Sequence, residues 1–335
     1  MSTKLLREKS YFKWVKRLLD NQKTYGAVSQ GKRISYQCIT SPEELAKDFV
    51  VPNMSAKSFV FPPIENLFAF IKKKDKVDIR DINLDAFSKK TIIGVRPCDA
   101  IGIKNLRAIF KWSPEDPIFR KRLEKITIIS YACNKNDDYC FCTSMGGGPG
   151  NTQGSDILLT QVDTGDYITE IITTKGEFAV STAPELFEEI KTDLQKEKYL
   201  AKVPIRVNDT HLKEKINRAS DSSVFDEYAM RCIGCNICAF VCPVCTCFDI
   251  QDESKGNKGH RLRCWDSCGN KLFTLQASGH NPRYTQGMRW KQRLMHKFSY
   301  MPERIQVRGC VGCGRCSRYC PVDMDISEHL TTIVN

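Results

Sequence analysis

No stretch of this 335-residue chain approaches the 18 or so uncharged apolar residues that a membrane helix requires; the longest apolar runs are of the kind SFVFPPI. The first twenty residues, MSTKLLREKSYFKWVKRLLD, are charged throughout and lack the apolar core and small-residue cleavage site of a secretory signal. The expectation is a cytoplasmic protein without a membrane span. No G-x-G-x-x-G follows a strand-like run and no G-x-x-x-x-G-K-[ST] occurs, which leaves the chain without a nicotinamide or flavin site of its own. Histidine is scarce, at 5 residues. His211, His260 and His329 have no metal-like pairing and read as surface residues. No Ser/His/Asp grouping or isolated acid pair calls for hydrolytic chemistry.

Cysteine, by contrast, is abundant, with 17 residues. Disulfides do not persist in a reducing compartment and bare thiols there oxidise, so metal occupancy is the default reading. An odd cysteine count at this length argues against a secreted disulfide scaffold. The formal charge of +12 suggests an acidic partner, but every ligating cysteine is a thiolate that the count omits. Charge alone therefore gives no case for nucleic acid.

Two segments, RCIGCNICAFVCP (231 to 243) and GCVGCGRCSRYCP (309 to 321), fit C-x2-C-x2-C-x3-C-P, the bacterial ferredoxin run. Three cysteines two residues apart curl the backbone around one corner of a cube. The last cysteine of each run sits one helical turn further on and faces away, so it serves the other cluster. Two [4Fe–4S] clusters follow, the first on Cys232, Cys235, Cys238 and Cys320, the second on Cys310, Cys313, Cys316 and Cys242. A zinc ribbon would use two C-x2-C pairs and no third cysteine in the run.

The halves differ in texture. Residues 1 to 205 read as an α/β domain: TIIGV (91 to 95) and ITIIS (126 to 130) resemble buried strands, while ILLTQV (157 to 162) and YITEI (167 to 171) suggest a hairpin. Helices are expected over 3 to 20 and from Ala183 to Tyr199, and Ser41 with Glu44 forms a capping box. Residues 206 to 335, with twelve of the cysteines, are expected to form a mainly α-helical dicluster ferredoxin-like domain. Its 67-residue insert between Cys242 and Cys310 is expected to carry a polar loop at 251 to 260.

Two further cysteine groups stand out. Cys98 and Cys133 each follow a strand-like run, and Cys140 and Cys142 come soon after; if the strands are parallel neighbours, all four meet at one sheet edge, where open α/β sheets place their sites. They raise the hypothesis of another [4Fe–4S] cluster, against the alternative of a thiol-lined loop. In the insert, Cys245, Cys247, Cys264 and Cys268 are candidates for a further centre or for reduced cysteines packed beside the clusters. Cys232, Cys238, Cys264 and Cys268 also mimic a sirohaem spacing, which the ferredoxin runs explain better. The basic segment HNPRYTQGMRWKQRLMHKF (280 to 298), helical after Pro282, either docks an acidic partner, raises the cluster potentials, or is a solvated face.

Taken together, PPIENLFAF, GVRPCDA, CNKNDDYCFCTS, CIGCNICAFVCPVCTCFD, WDSC, SGHNPR, HKF and CVGCGRCSRYCPVD give the whole chain a resemblance to the β-type iron–sulfur subunits of cytosolic sulfhydrogenases and to the A-type subunits of anaerobic sulfite reductase. That resemblance implies an electron-transfer subunit between a flavin- and NAD(P)H-linked subunit and a catalytic hydrogenase or reductase subunit, with ferredoxin another candidate partner. It includes Cys245, Cys247 and Cys268 in the pattern but not Cys264. Two rival readings are a reductase of sulfite or polysulfide in its own right and a nucleic-acid-binding protein with structural clusters.

Overall fold

The computed structural model describes residues 2–190, 194–207 and 211–334. Its largest unit is an eight-stranded sheet in the order β10-β1-β9-β8-β7-β6-β2-β3, formed by β1 (Ser2–Leu6), β2 (Lys23–Gln30), β3 (Arg33–Cys38), β6 (Lys90–Val95), β7 (Ile126–Tyr131), β8 (Ile157–Gln161), β9 (Tyr167–Ile171) and β10 (Phe187–Glu189). The four central strands β2, β6, β7 and β8 are parallel, and antiparallel strands extend both edges.

The period-two geometry of a strand explains the layers. Ile93 and Ile129 point to one face, where α1 (Glu8–Asn21) covers them with Tyr11, Trp14, Val15 and Leu18. Ile92 and Ile128 point to the other, against Ile103 and Leu106 of α2 (Pro97–Phe110) and Phe119 of α3 (Pro117–Glu124). Continuous apolar runs such as KTIIGV and ITIISY are what a strand covered on both faces needs.

A second, four-stranded antiparallel sheet runs β11-β12-β4-β5, from β4 (Ile64–Lys72), β5 (Val77–Asp81), β11 (Phe248–Lys255) and β12 (Lys258–Trp265). It overturns the expected α/β domain followed by a mainly α-helical one. Among the described residues the strands number twelve, in two sheets, and only about 36% of the chain is helical. The supposed polar loop at 251 to 260 lies within the β11–β12 hairpin, which pairs through β12 with β4 of the first half. All eight residues of β11 are exposed, so the strand has no buried face to betray it in sequence and owes its form to pairing. The available signal was Gly256-Asn257, a two-residue turn with Gly256 at φ +63°.

The remaining helices are short: α4 (Thr174–Ser181), α5 (Leu212–Arg218), α6 (Val224–Ala229), α7 (Ile237–Phe240), α8 (Gln286–Met295), α9 (Met301–Ile305), α10 (Arg315–Arg318) and α11 (Ile326–Val334). Two other expectations change. The first helix begins at Glu8 because residues 2 to 6 pair with β9 and β10. Ala183 to Tyr199 is not one helix: a 3-10 turn at Pro184–Leu186, the strand β10 and a 3-10 turn at Lys196–Tyr199 occupy it, and residues 191–193 of that span lie outside the described residues. The predicted strands, the hairpin and the Ser41–Glu44 capping box are all observed.

One buried carboxylate fastens the insert to the first half. Glu65 of β4, with its side chain fully buried, accepts from Arg122 Nε at 2.9 Å and from Arg263 Nε of β12 at 2.9 Å; Arg263 also pairs with Asp116. Removing one partner of such a cluster leaves uncompensated charge. Glu65→Ala should therefore cost about 3–5 kcal/mol, read by chemical denaturation, and should raise amide hydrogen exchange across 248 to 265.

Candidate iron–sulfur sites

Each ferredoxin run is built from a tight loop followed by a single helical turn. In the first, Gly234 and Asn236 take φ of +69° and +64° and α7 follows; in the second, Gly312 and Gly314 take +64° and +71° and α10 follows. Left-handed residues on either side of the middle cysteine turn successive backbone amides inward, as an anionic cluster requires. The same geometry in both runs reflects the shared spacing.

Cys232, Cys235 and Cys238 line one recess together with Cys320 from the other run, and Cys316 borders it. Gln286 at the start of α8 donates through Nε2 to Cys232 Sγ at 3.1 Å, and the Met324 amide donates to Cys320 Sγ at 3.3 Å. Cys235 is exposed, so this recess reaches the surface. Deeper in, Cys242 and Cys313 are buried, with Val244 N 3.4 Å from Cys242 Sγ and Gly312 N 3.4 Å from Cys310 Sγ.

The donor set fits iron–sulfur clusters. Among the described residues no three His, Cys, Asp or Glu side chains converge closely enough for a single metal ion. The corners of a cube need no such closeness, because each thiolate binds a different iron. Burial pushes the Cys238 and Cys310 thiols up to about 12 even with Arg293 near the first and Lys297 near the second, so ionising them takes further positive charge. Iron supplies that charge.

The parallel pairing of β6 with β7 brings Cys98 and Cys133 to the same sheet edge. A second recess there is lined by Cys98, Cys133, Cys140 and Cys142, with Cys313 of the second run. Burial raises the Cys140 thiol to about 11 and the Cys142 thiol to about 12. In the insert, the neighbouring Cys247 thiol holds the Cys268 thiol down to about 7, and Cys242 likewise lowers the Cys245 thiol. Cys264 instead sits near the end of β12 opposite Asp249, and Cys38 is exposed at the end of β3. Neither joins a cysteine group.

The segment 280 to 298 is not a solvated face. Arg289, Arg293 and Lys297 are buried on its inner side. His211 and His260 are exposed as expected, but His329 is fully buried, its ring stacked 3.8 Å from Tyr228 and edge-on to Trp290, with burial lowering it to about 4. Its place on the apolar side of α11, between Ile326 and Leu330, was the missed signal.

Sequence reasoning also passed over Asp99 and Arg315. Arg315, between two cysteines of the second ferredoxin run, makes a bidentate pair with Asp99, next to Cys98, at 2.6 Å on both oxygens, and donates through Nε to the Pro52 carbonyl at 2.8 Å. Both side chains are fully buried. Arg318 repeats the device on Asp137, at 2.7 Å. An arginine inside a ferredoxin run with no solvent-facing turn to occupy was the available hint.

Against known proteins, the 4Fe-4S dicluster domain family matches residues 231–324. The chain is also 30% identical over 316 residues to the sulfhydrogenase 2 subunit beta of Pyrococcus furiosus, covering 92% of this chain and 91% of that one. It belongs to the sulfhydrogenase β-subunit family. The sulfhydrogenase β-type chain described here is an iron–sulfur electron-transfer subunit that carries [4Fe–4S] clusters. No solved structure matches it. Among the described residues no helix is long and apolar enough to cross a membrane.

Asp99→Ala should lower stability by about 3–5 kcal/mol by stranding the buried Arg315. The double variant Asp99→Ala/Arg315→Met should recover part of that loss, the non-additivity being read from a denaturation cycle under anaerobic conditions.

Proposed function

We propose that this subunit relays electrons between a flavin- and NAD(P)H-linked subunit and a catalytic hydrogenase or reductase subunit, with ferredoxin as an alternative donor or acceptor. The observation that carries the reading is that Cys320, from the second run, lines the same recess as Cys232, Cys235 and Cys238. Supported by it, the first cluster is assigned to those four residues and the second to Cys310, Cys313, Cys316 and Cys242. Each cluster, when bound, takes up and gives back one electron.

The chain's own residues do the rest. Shared use of both runs makes the two centres neighbours, and Cys313, which borders the recess of Cys98, Cys133, Cys140 and Cys142, supports a third cluster on those four. The path then joins the sheet edge, the buried second run and the exposed Cys235, where it opens to solvent. Beside that exit, Met230 and Ile233 are 81% and 66% exposed, an apolar surface for a partner subunit. Cys245, Cys247 and Cys268 are the candidates for a fourth centre.

Anaerobic iron and sulfide analysis with EPR on the reduced protein tests the proposal. About twelve irons per chain are expected, four for each cube, and about sixteen if the insert is filled; fewer than about eight would sink it. Cys320→Ser should perturb the same EPR signal as Cys235→Ser, although the two residues lie in different runs.

A further inference from the structure

Three buried cations lie beside Cys242 and Cys245. Lys297 Nζ is 3.3 Å from Cys242 Sγ and donates to the Gly309 carbonyl at 2.7 Å. Arg293 Nη1 is 3.4 Å from Cys245 Sγ, while Nη2 donates to the Cys238 carbonyl at 2.8 Å. Lys57 enters from the first half, donating to the Ala239 carbonyl at 3.2 Å and the Cys245 carbonyl at 3.1 Å, with its ammonium 4.0 Å from the centre of the Trp265 ring. The exposures of Lys297, Arg293 and Lys57 are 4%, 4% and 2%.

A buried cation ordinarily has a carboxylate partner, because stripping it of water is costly. Here the charged groups acting most strongly on each cation are cysteine sulfurs and one another. Three desolvated positive charges in one place are tolerable only against compensating negative charge, and the compensating groups are thiolates.

The first centre is surrounded differently. Cys232 receives a neutral amide from Gln286 and Cys235 is in contact with solvent; Arg289 and Arg293 border this recess, Arg293 bonding the Cys238 carbonyl, but no lysine does. Fixed positive charge favours the reduced, more negative form of a centre most where water cannot screen it. Arg293 stands between the two centres and does not distinguish them; from the remaining asymmetry, and resting on the assignment of Cys242 to the second centre, we infer that Lys297, with Lys57, makes the second centre the electron sink of the pair. One electron leaves the first centre and arrives at the second; no proton moves and no bond forms. Lys297 is thereby a positioning residue for charge, acting through Cys242.

An EPR-monitored redox titration of the whole chain tests this. The centre perturbed by Cys235→Ser should be the one reduced at the lower potential. At the wild-type midpoint of the other centre, Lys297→Met should lower its ratio of reduced to oxidised form at least tenfold, equivalent to 59 mV for one electron. Lys297→Arg should restore the ratio to within about threefold, since it keeps the charge. A Lys297→Met protein with full iron and an unshifted second centre would overturn the inference. Should Lys297→Met lose iron, the wild-type order decides: the inference is wrong if the centre perturbed by Cys235→Ser is the higher-potential one. Low iron in the wild type would instead defeat the cluster assignment itself.

Discussion

The buried pair between Asp99 and Arg315 is the constraint on which the rest of the molecule turns. Asp99 opens α2 at the end of a core strand, and Arg315 lies between two cysteines of the second ferredoxin run, so one bidentate contact fixes the sheet edge against that run. A buried ion pair contributes little net stability over an apolar pair of the same shape, but its geometry is exacting. Tyr36 adds a hydroxyl at 3.4 Å from Asp99, and the Pro52 carbonyl holds the third face of the guanidinium. What this arrangement supplies is register between cysteines some two hundred positions apart in the chain.

Charge balance explains why the interior is so polar. Buried thiols resist ionisation, and buried lysines and arginines resist hydration loss, but each relieves the other when they share a site. Among the described residues, the cations around Cys242 have no paired carboxylate, whereas Asp99 and Asp137 bring carboxylates to the arginines of the second run. Two kinds of compensation thus operate within one small volume. The formal excess of positive charge in the sequence is in part this interior chemistry and not a surface property.

Much of this was legible in the sequence, and the failures have a common cause. Strands covered on both faces, such as KTIIGV, announce themselves because burial demands continuous apolar residues. The ferredoxin runs announce themselves because ligand spacing is a local property. Features decided by partners distant in sequence did not. The residues of β11 carry no apolar stripe, β1 was absorbed into the following helix, and Lys57 looks ordinary in SAKSF until Trp265 and the Cys245 carbonyl are seen beside it. His329 was misjudged for the same reason: the aromatic rings that cover it come from other elements, and its ring nitrogens have no hydrogen-bond partner among the described residues.

Gly312 and Gly314 lie against backbone. A Cβ on Gly312 would come within 2.5 Å of the Phe141 backbone, and one on Gly314 within 2.4 Å of the Tyr139 carbonyl. Main chain meets main chain there, and the Phe141 amide donates to the Gly312 carbonyl at 2.9 Å. Electron tunnelling decays exponentially with separation, so a gap set by side chains would widen or narrow with every substitution. A gap set by two glycines against a peptide bond has nothing left to trim, and it holds the distance between the Cys140–Cys142 loop and the second run at its steric minimum.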